Sequence, residues 1–138
     1  MTLKYTDSQR RGYLTMTSRI GRDWLKVFGN NRQFYSTDYW DLFSQIWQAE
    51  GLVRKTDALN FMIAIKSSHT AGKYLDTAMR YGFLVETENP RDARSKLVGL
   101  SPEMRGRLDE FFDNALEEVM KTSQTTIELG VPLKRAGE

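Results

Sequence analysis

The chain has 138 residues, 40% of them hydrophobic and 28% charged, which is enough apolar mass to bury a core without covalent staples. It has no cysteine, so disulfide frameworks, thiolate metal sites and cysteine redox sensing are excluded. Net charge is only +2, no apolar run approaches the roughly 20 residues that span a bilayer, and the N-terminus lacks a secretory core. One soluble cytoplasmic domain over 1–138, away from membranes, is expected.

Charge is unevenly spread. Residues 1–35 hold seven bases (Lys4, Arg10, Arg11, Arg19, Arg22, Lys26, Arg32) against two acids (Asp7, Asp23), and residues 66–107 hold eight bases against five acids. Residues 108–120 hold five acids (Asp109, Glu110, Asp113, Glu117, Glu118) and no base. A polyanion can meet the basic parts while the acidic stretch faces elsewhere as a solvated flank.

Thr6 and Gln9 have capping-box spacing, and Tyr13, Met16, Ile20, Trp24 and Val27 recur at steps of three or four, predicting a long helix near 6–29. Gly12 and Gly21 inside it each cost roughly 1 kcal/mol relative to alanine, so a bend or close packing is expected. Ser36 or Thr37 caps a second helix with Tyr39, Leu42, Phe43, Ile46 and Trp47 on its apolar side, stopping near Gly51. A short strand is expected at 52–55. Thr56 then fits the N-cap of a short third helix, with Asp57 in its first turn and Leu59, Met62 and Ile63 facing inward.

After a Lys66-Ser67-Ser68 break, a fourth helix carries Ala71, Leu75, Ala78 and Met79 as a narrow apolar stripe, a polar first turn (Ser68, His69, Thr70, Lys73), and Gly82 as its stop. Phe83-Leu84-Val85 and Leu97-Val98 bracket the turn-rich Asn89-Pro90-Arg91-Asp92, predicting a β-hairpin with a charged tip. Ser101-Pro102-Glu103 opens the last helix, near 101–129, with a capping hydroxyl, a first-position proline and an early acid. Leu108, Phe111, Phe112, Ala115, Leu116, Val119 and Met120 keep helical spacing along it. Gly130 and Pro132 end it, and a mobile tail is expected over 130–138.

A short helix, a polar-fronted helix and a basic hairpin in that order define a winged helix-turn-helix: mainly α with a small β-hairpin, its DNA-binding core over 36–100. A major-groove helix needs an apolar back and hydrogen-bonding groups at its N-terminal end, which residues 67–73 provide. A wing needs cations on a hairpin tip, and Arg91, Arg94 and Lys96 provide them.

Residues 70–100 resemble the MarR family of bacterial winged-helix regulators. The resemblance is carried by Thr70, Lys73, Gly82-Phe83-Leu84, the wing string Asn89-Pro90-Arg91-Asp92-Ala93-Arg94-Ser95-Lys96, and Leu100-Ser101. It implies a homodimer whose first and last helices intertwine, bound to pseudo-palindromic double-stranded DNA, with Asp92 orienting Arg94 toward the minor groove. Asn89 and Ala93 stand where the family commonly has aspartate and arginine. Met104 replaces a usual glycine, and the turn at 63–67 lacks one. Ser67, Ser68, His69, Thr70, Lys73, Tyr74, Arg91, Asp92, Arg94 and Lys96 form the candidate DNA-binding set. Tyr13, Ile20, Leu108, Phe111, Phe112, Leu116 and Val119 form the candidate dimer seam.

Blander readings stand beside these. His69 either contacts DNA or is simply exposed, as do Tyr74 and Arg80, and the stripe of the last helix is either plain core or a seam. Adjacent Phe111 and Phe112 cannot share one narrow stripe, which favours a broad buried surface. The resemblance leaves room for a small-molecule effector between the dimerisation and DNA-binding parts, where Tyr13, Trp24, Tyr39, Trp40 and Trp47 either line a pocket or belong to the core. There is no Gly-rich phosphate loop and no Ser-His-Asp set, so neither enzymatic activity nor a cofactor or metal is expected. A winged helix that binds another protein instead of DNA is the alternative.

Overall fold

Thr6 opens the first helix reciprocally: its Oγ1 accepts from the Gln9 amide at 3.2 Å, while Gln9 Oε1 accepts from the Thr6 amide at 2.8 Å. The structure, a computed structural model, describes residues 2–130. Helix α1 runs Asp7–Val27, and Gly29 and Asn30 beyond it both take φ 64°. A side chain at Gly21 would put its Cβ 2.9 Å from the Tyr35 hydroxyl, so this glycine does mark a close approach. Gly12 has no such neighbour.

A 3-10 turn at Arg32–Phe34 leads into α2 (Thr37–Gln48), where the cap is Ser36, its Oγ accepting from the Tyr39 amide at 3.2 Å. Then follow β1 (Val53–Arg54), α3 (Lys55–Phe61), α4 (Ser68–Arg80), β2 (Leu84–Glu88), β3 (Lys96–Leu100) and α5 (Pro102–Leu129). The hairpin is joined by β1 into a three-stranded antiparallel sheet of order β1-β3-β2, with Val53 opposite Val98 and Leu84 opposite Leu100. This is the expected mainly α winged-helix architecture, with one strand more than the hairpin alone.

The core is aromatic at the end of α1 and aliphatic toward the sheet. Trp24, Phe28, Phe34 and Phe43 interlock there, with Phe28 4.9 Å from Trp24 and 5.0 Å from both Phe34 and Phe43. Leu75, Ala78, Leu84, Val98, Met104 and Leu108 are among the residues that extend it. Helices α1 and α5 run antiparallel. At one end Gln9 Nε2 donates to the carbonyls of Thr126 and Gly130, and at the other Arg107 Nη1 donates to the Val27 carbonyl at 3.0 Å. Both contacts satisfy carbonyls that a helix end leaves without partners.

Two local expectations are corrected. Thr56 is not a cap: β1 feeds directly into α3, which starts at Lys55 with Arg54 in the cap position and no side-chain bond to the backbone. Arg54 Nε instead donates to Asp57 Oδ2 at 3.0 Å. Ile63 does not face inward. α3 ends at Phe61, the Ile65 amide donates to the Met62 carbonyl at 3.0 Å, and the resulting turn leaves Ile63 84% exposed. Pro132 and the tail expected after Gly130 lie outside the described residues.

Gly82 fixes the angle between α4 and the wing. It takes φ +76° while its amide donates to the Met79 carbonyl and that of Phe83 to the Ala78 carbonyl, both at 3.0 Å. A Cβ there meets no neighbour, so the backbone conformation alone sets the cost of adding one. Gly82→Ala is expected to destabilise the chain by about 1–2 kcal/mol in denaturant unfolding.

Candidate nucleic-acid interface

Helix α4 is built one-sided. Ala71, Leu75 and Ala78 pack into the core, while Ser68, His69, Thr70 and Lys73 are exposed along its first turns. Ser67 is the N-cap, its Oγ accepting from the Thr70 amide at 3.3 Å. Its hydroxyl therefore serves the helix itself. Tyr74 is half-buried, with its ring 5.0 Å from that of Tyr39 and its carbonyl accepting from the Tyr39 hydroxyl at 3.0 Å. Burial pushes the Tyr39 phenol up to about 12. Tyr74 thus holds α4 against α2 and does not stand free on its surface. Arg80 is exposed, but its Nη2 donates to Thr77 Oγ1 at 3.1 Å.

At the wing tip two short polar side chains shape the turn. Asn89 Oδ1 accepts from the Arg91 amide and Asp92 Oδ1 from the Arg94 amide, each at 3.0 Å. Asp92 Oδ1 also lies 3.6 Å from Arg94 Nε, whose side chain is 95% exposed. Arg91 is exposed and makes no ion pair among the described residues. Lys96 is not a free cation: it is half-buried and ion-paired with Glu88, its partner across the β2–β3 ladder. Lys55 Nζ bonds Glu86 Oε2 at 3.0 Å and braces the hairpin against α3. Glu86 and Glu88 were missed in the sequence, although Glu88 could be paired with Lys96 once the turn length is known.

The candidate seam residues separate into two groups. Leu108 and Phe111, at 0% and 3% exposure, are covered by the chain's own core, with Phe111 5.2 Å from the Trp24 ring. Ile20 and Phe112 are half-buried against that core, whereas Tyr13, Leu116 and Val119 are open, together with Leu14, Met120 and Ile127. Between the N-terminal half of α1 and the C-terminal half of α5 lies a groove of about 820 Å³ whose apolar lining includes Tyr5, Tyr13, Leu14, Val119 and Ile127. Of the five aromatics considered for an effector pocket, only Tyr13 lines it. Trp24 and Tyr39 are core, and Trp40 and Trp47 pack on Phe112.

Asp109 is not merely part of a solvated acidic flank. Its Oδ1 accepts from Trp47 Nε1 at 2.7 Å and from Arg105 Nε at 3.0 Å, and the Arg105 guanidinium lies 4.9 Å over the Trp47 ring, so the group links α2 to α5. The indole hydrogen bond first, then Arg105, holds the Asp109 carboxyl below its ordinary value of 3.8. A depressed carboxylate gives stability that is complete above the unfolded value and lost as pH falls through the folded one. The Trp47 fluorescence is therefore expected to change only below about pH 4, where carboxylates ordinarily titrate, and Asp109→Asn is expected to remove that transition. Glu118 also has a partner, Arg19, at 3.5 Å.

Among the described residues no cluster of three or more His, Asp or Glu is placed to hold a metal ion, and no helix is long and apolar enough to cross a membrane. A helix with a buried apolar back and an exposed polar front, followed by a sheet wing with a cationic tip and flanked by two long terminal helices, is the winged-helix fold of MarR-type regulators. The chain is similar to S. aureus MepR solved with DNA: TM-score 0.60, 16% identity, covering 86% of this chain and 90% of that one. It is also similar to NadR in complex with 4-hydroxyphenylacetate, with TM-score 0.56, 14% identity, and coverage of 91% of this chain and 84% of that one. A mutant MarR from E. coli complexed with operator DNA gives TM-score 0.51 and 12% identity over 86% of this chain and 82% of that one. No family model matches the chain, and no curated protein matches its sequence.

Proposed function

We propose that the chain is a transcriptional regulator that binds duplex DNA as a homodimer, each subunit setting α4 in the major groove and its wing tip at the minor groove of a pseudo-palindromic operator. The observation that carries this is the one-sidedness of α4, whose buried back fixes the helix while Ser68, His69, Thr70 and Lys73 are left free of the core. The exposed Arg91 and Arg94 support a wing contact, with Asp92 orienting Arg94. Lys96, paired with Glu88, belongs in this reading to the scaffold of the wing. The open apolar residues of α1 and α5 support dimerisation there, since contiguous exposed apolar patches on a soluble fold mark interaction surfaces. The MepR and MarR complexes with DNA support the choice of partner, and the NadR complex with 4-hydroxyphenylacetate brings a small-molecule effector into the same reading.

In vitro selection from random duplexes, followed by footprinting, tests the proposal. Two related half-sites about 10 base pairs apart, or a multiple of that, are the expected outcome for a symmetric winged-helix dimer. A selection that enriches no sequence would remove DNA recognition and favour a protein-binding winged helix.

A further inference from the structure

Ile63 is 84% exposed, above the other large exposed apolar residues, which range from 38% to 70%. Six of those, Tyr13, Leu14, Leu116, Val119, Met120 and Ile127, lie on the α1 and α5 faces assigned above to a second copy. Ile63 lies at the opposite functional end, in the turn between α3 and α4. The turn holds it outward on both sides: Met62 before it is fully buried, Ile65 after it packs on the core, and the Ile65 amide closes onto the Met62 carbonyl at 3.0 Å. Apart from Ile65, residues 63–70 are exposed, so Ile63 begins the stretch that leads into the first turn of α4.

We propose that Ile63 is a specificity-determining residue that packs on the 5-methyl group of a thymine in the major groove. The inference rests on the DNA-binding reading above and names part of what is read. A duplex offers few apolar surfaces to a protein, and in the major groove the thymine methyl is the one that distinguishes a base. A β-branched side chain held rigidly in a turn is suited to that contact because it loses little rotamer freedom on binding. Lys66 and Lys73 are both exposed, and residues 63–75 hold these two cations and no acid. A cationic surrounding favours a nucleic acid over an apolar protein partner for the same side chain.

The test uses the full chain and a duplex enriched by it from a random library, with each thymine replaced in turn by deoxyuridine, which lacks the methyl. The wild-type chain is expected to lose about fourfold in affinity at one thymine per half-site, the worth of one buried methyl. Ile63→Ala should bind the parent duplex more weakly by a similar factor, melt at the wild-type temperature, and show no further loss at that thymine, as contacting partners do in a double-mutant cycle. Equal losses for the variant and the wild type at every thymine would overturn the proposal. So would a uniform weakening on all duplexes, which would assign Ile63 to the sugar backbone. If the wild-type chain enriches no duplex at all, the DNA-binding reading itself fails, a result distinct from either.

Discussion

Phe111→Ala is expected to lower the unfolding free energy of the chain by about 3–5 kcal/mol, the range for truncating a buried phenylalanine. The ring is 3% exposed and lies 5.2 Å from Trp24, 6.2 Å from Trp40 and 5.3 Å from Phe112, so its loss opens a cavity where α1, α2 and α5 meet. Stability in a domain of this size is usually about 5–15 kcal/mol in total, so much of it would go. Leu116→Glu with Val119→Glu should behave oppositely. Both side chains are open along α5, and a charge there leaves the subunit core untouched. Light scattering should report one subunit instead of two, with helical circular dichroism retained. An unfolded Leu116/Val119 variant, or a stable Phe111→Ala chain, would mean that core and seam have been exchanged.

Arg94→Ala is expected to weaken DNA binding by about 1–3 kcal/mol, roughly 5- to 150-fold, if its guanidinium enters the minor groove as proposed. The side chain is 95% exposed and, among the described residues, its one ion pair is with Asp92, so the fold does not lean on it and the melting temperature should not move. Asp92→Ala should give a smaller loss in the same direction if Asp92 orients Arg94 as proposed, since it removes both the 3.6 Å ion pair and the bond to the Arg94 amide at 3.0 Å. Lys96→Ala separates the wing scaffold from the wing contact. With Glu88 as its partner, Lys96 should affect hairpin order more than the affinity measured per phosphate. Anisotropy titrations on one selected duplex, with melting curves for each variant, check all three.

Much of the fold was legible because its signals are local. The Thr6 and Gln9 box, the Ser101 cap and the Gly82 stop each act within a few residues, and each is where the pattern placed it. The start of α3 was not legible, because β1 is defined by pairing with β3, more than 40 residues away, and that pairing sets where the helix can begin. Ile63 was misplaced for a related reason. Its spacing fits a helical stripe, but α3 ends at Phe61, ahead of Ile63.

On the last helix, periodicity identified the apolar positions but not what covers them. Leu108 and Phe111 meet the subunit's own core, while Leu116 and Val119, one and two turns further on, have passed beyond it. The bond from Trp47 to Asp109 joins residues 62 apart and left no mark in the local pattern. The α4 and wing positions were legible as a group. Which of them keep free side chains emerged only from the partners of Ser67, Tyr74 and Lys96.

The central claim, that this winged helix grips the charged backbone of a duplex, is tested most directly by its salt dependence. Lys73, Arg91 and Arg94 give about six cations in a dimer, so the logarithm of the association constant should fall linearly with that of salt, with a slope near −5. That is a loss of roughly a thousandfold between about 50 and 200 mM salt on a selected duplex, read by fluorescence anisotropy. Affinity that stays flat over that range, or no binding at its low end, would contradict it.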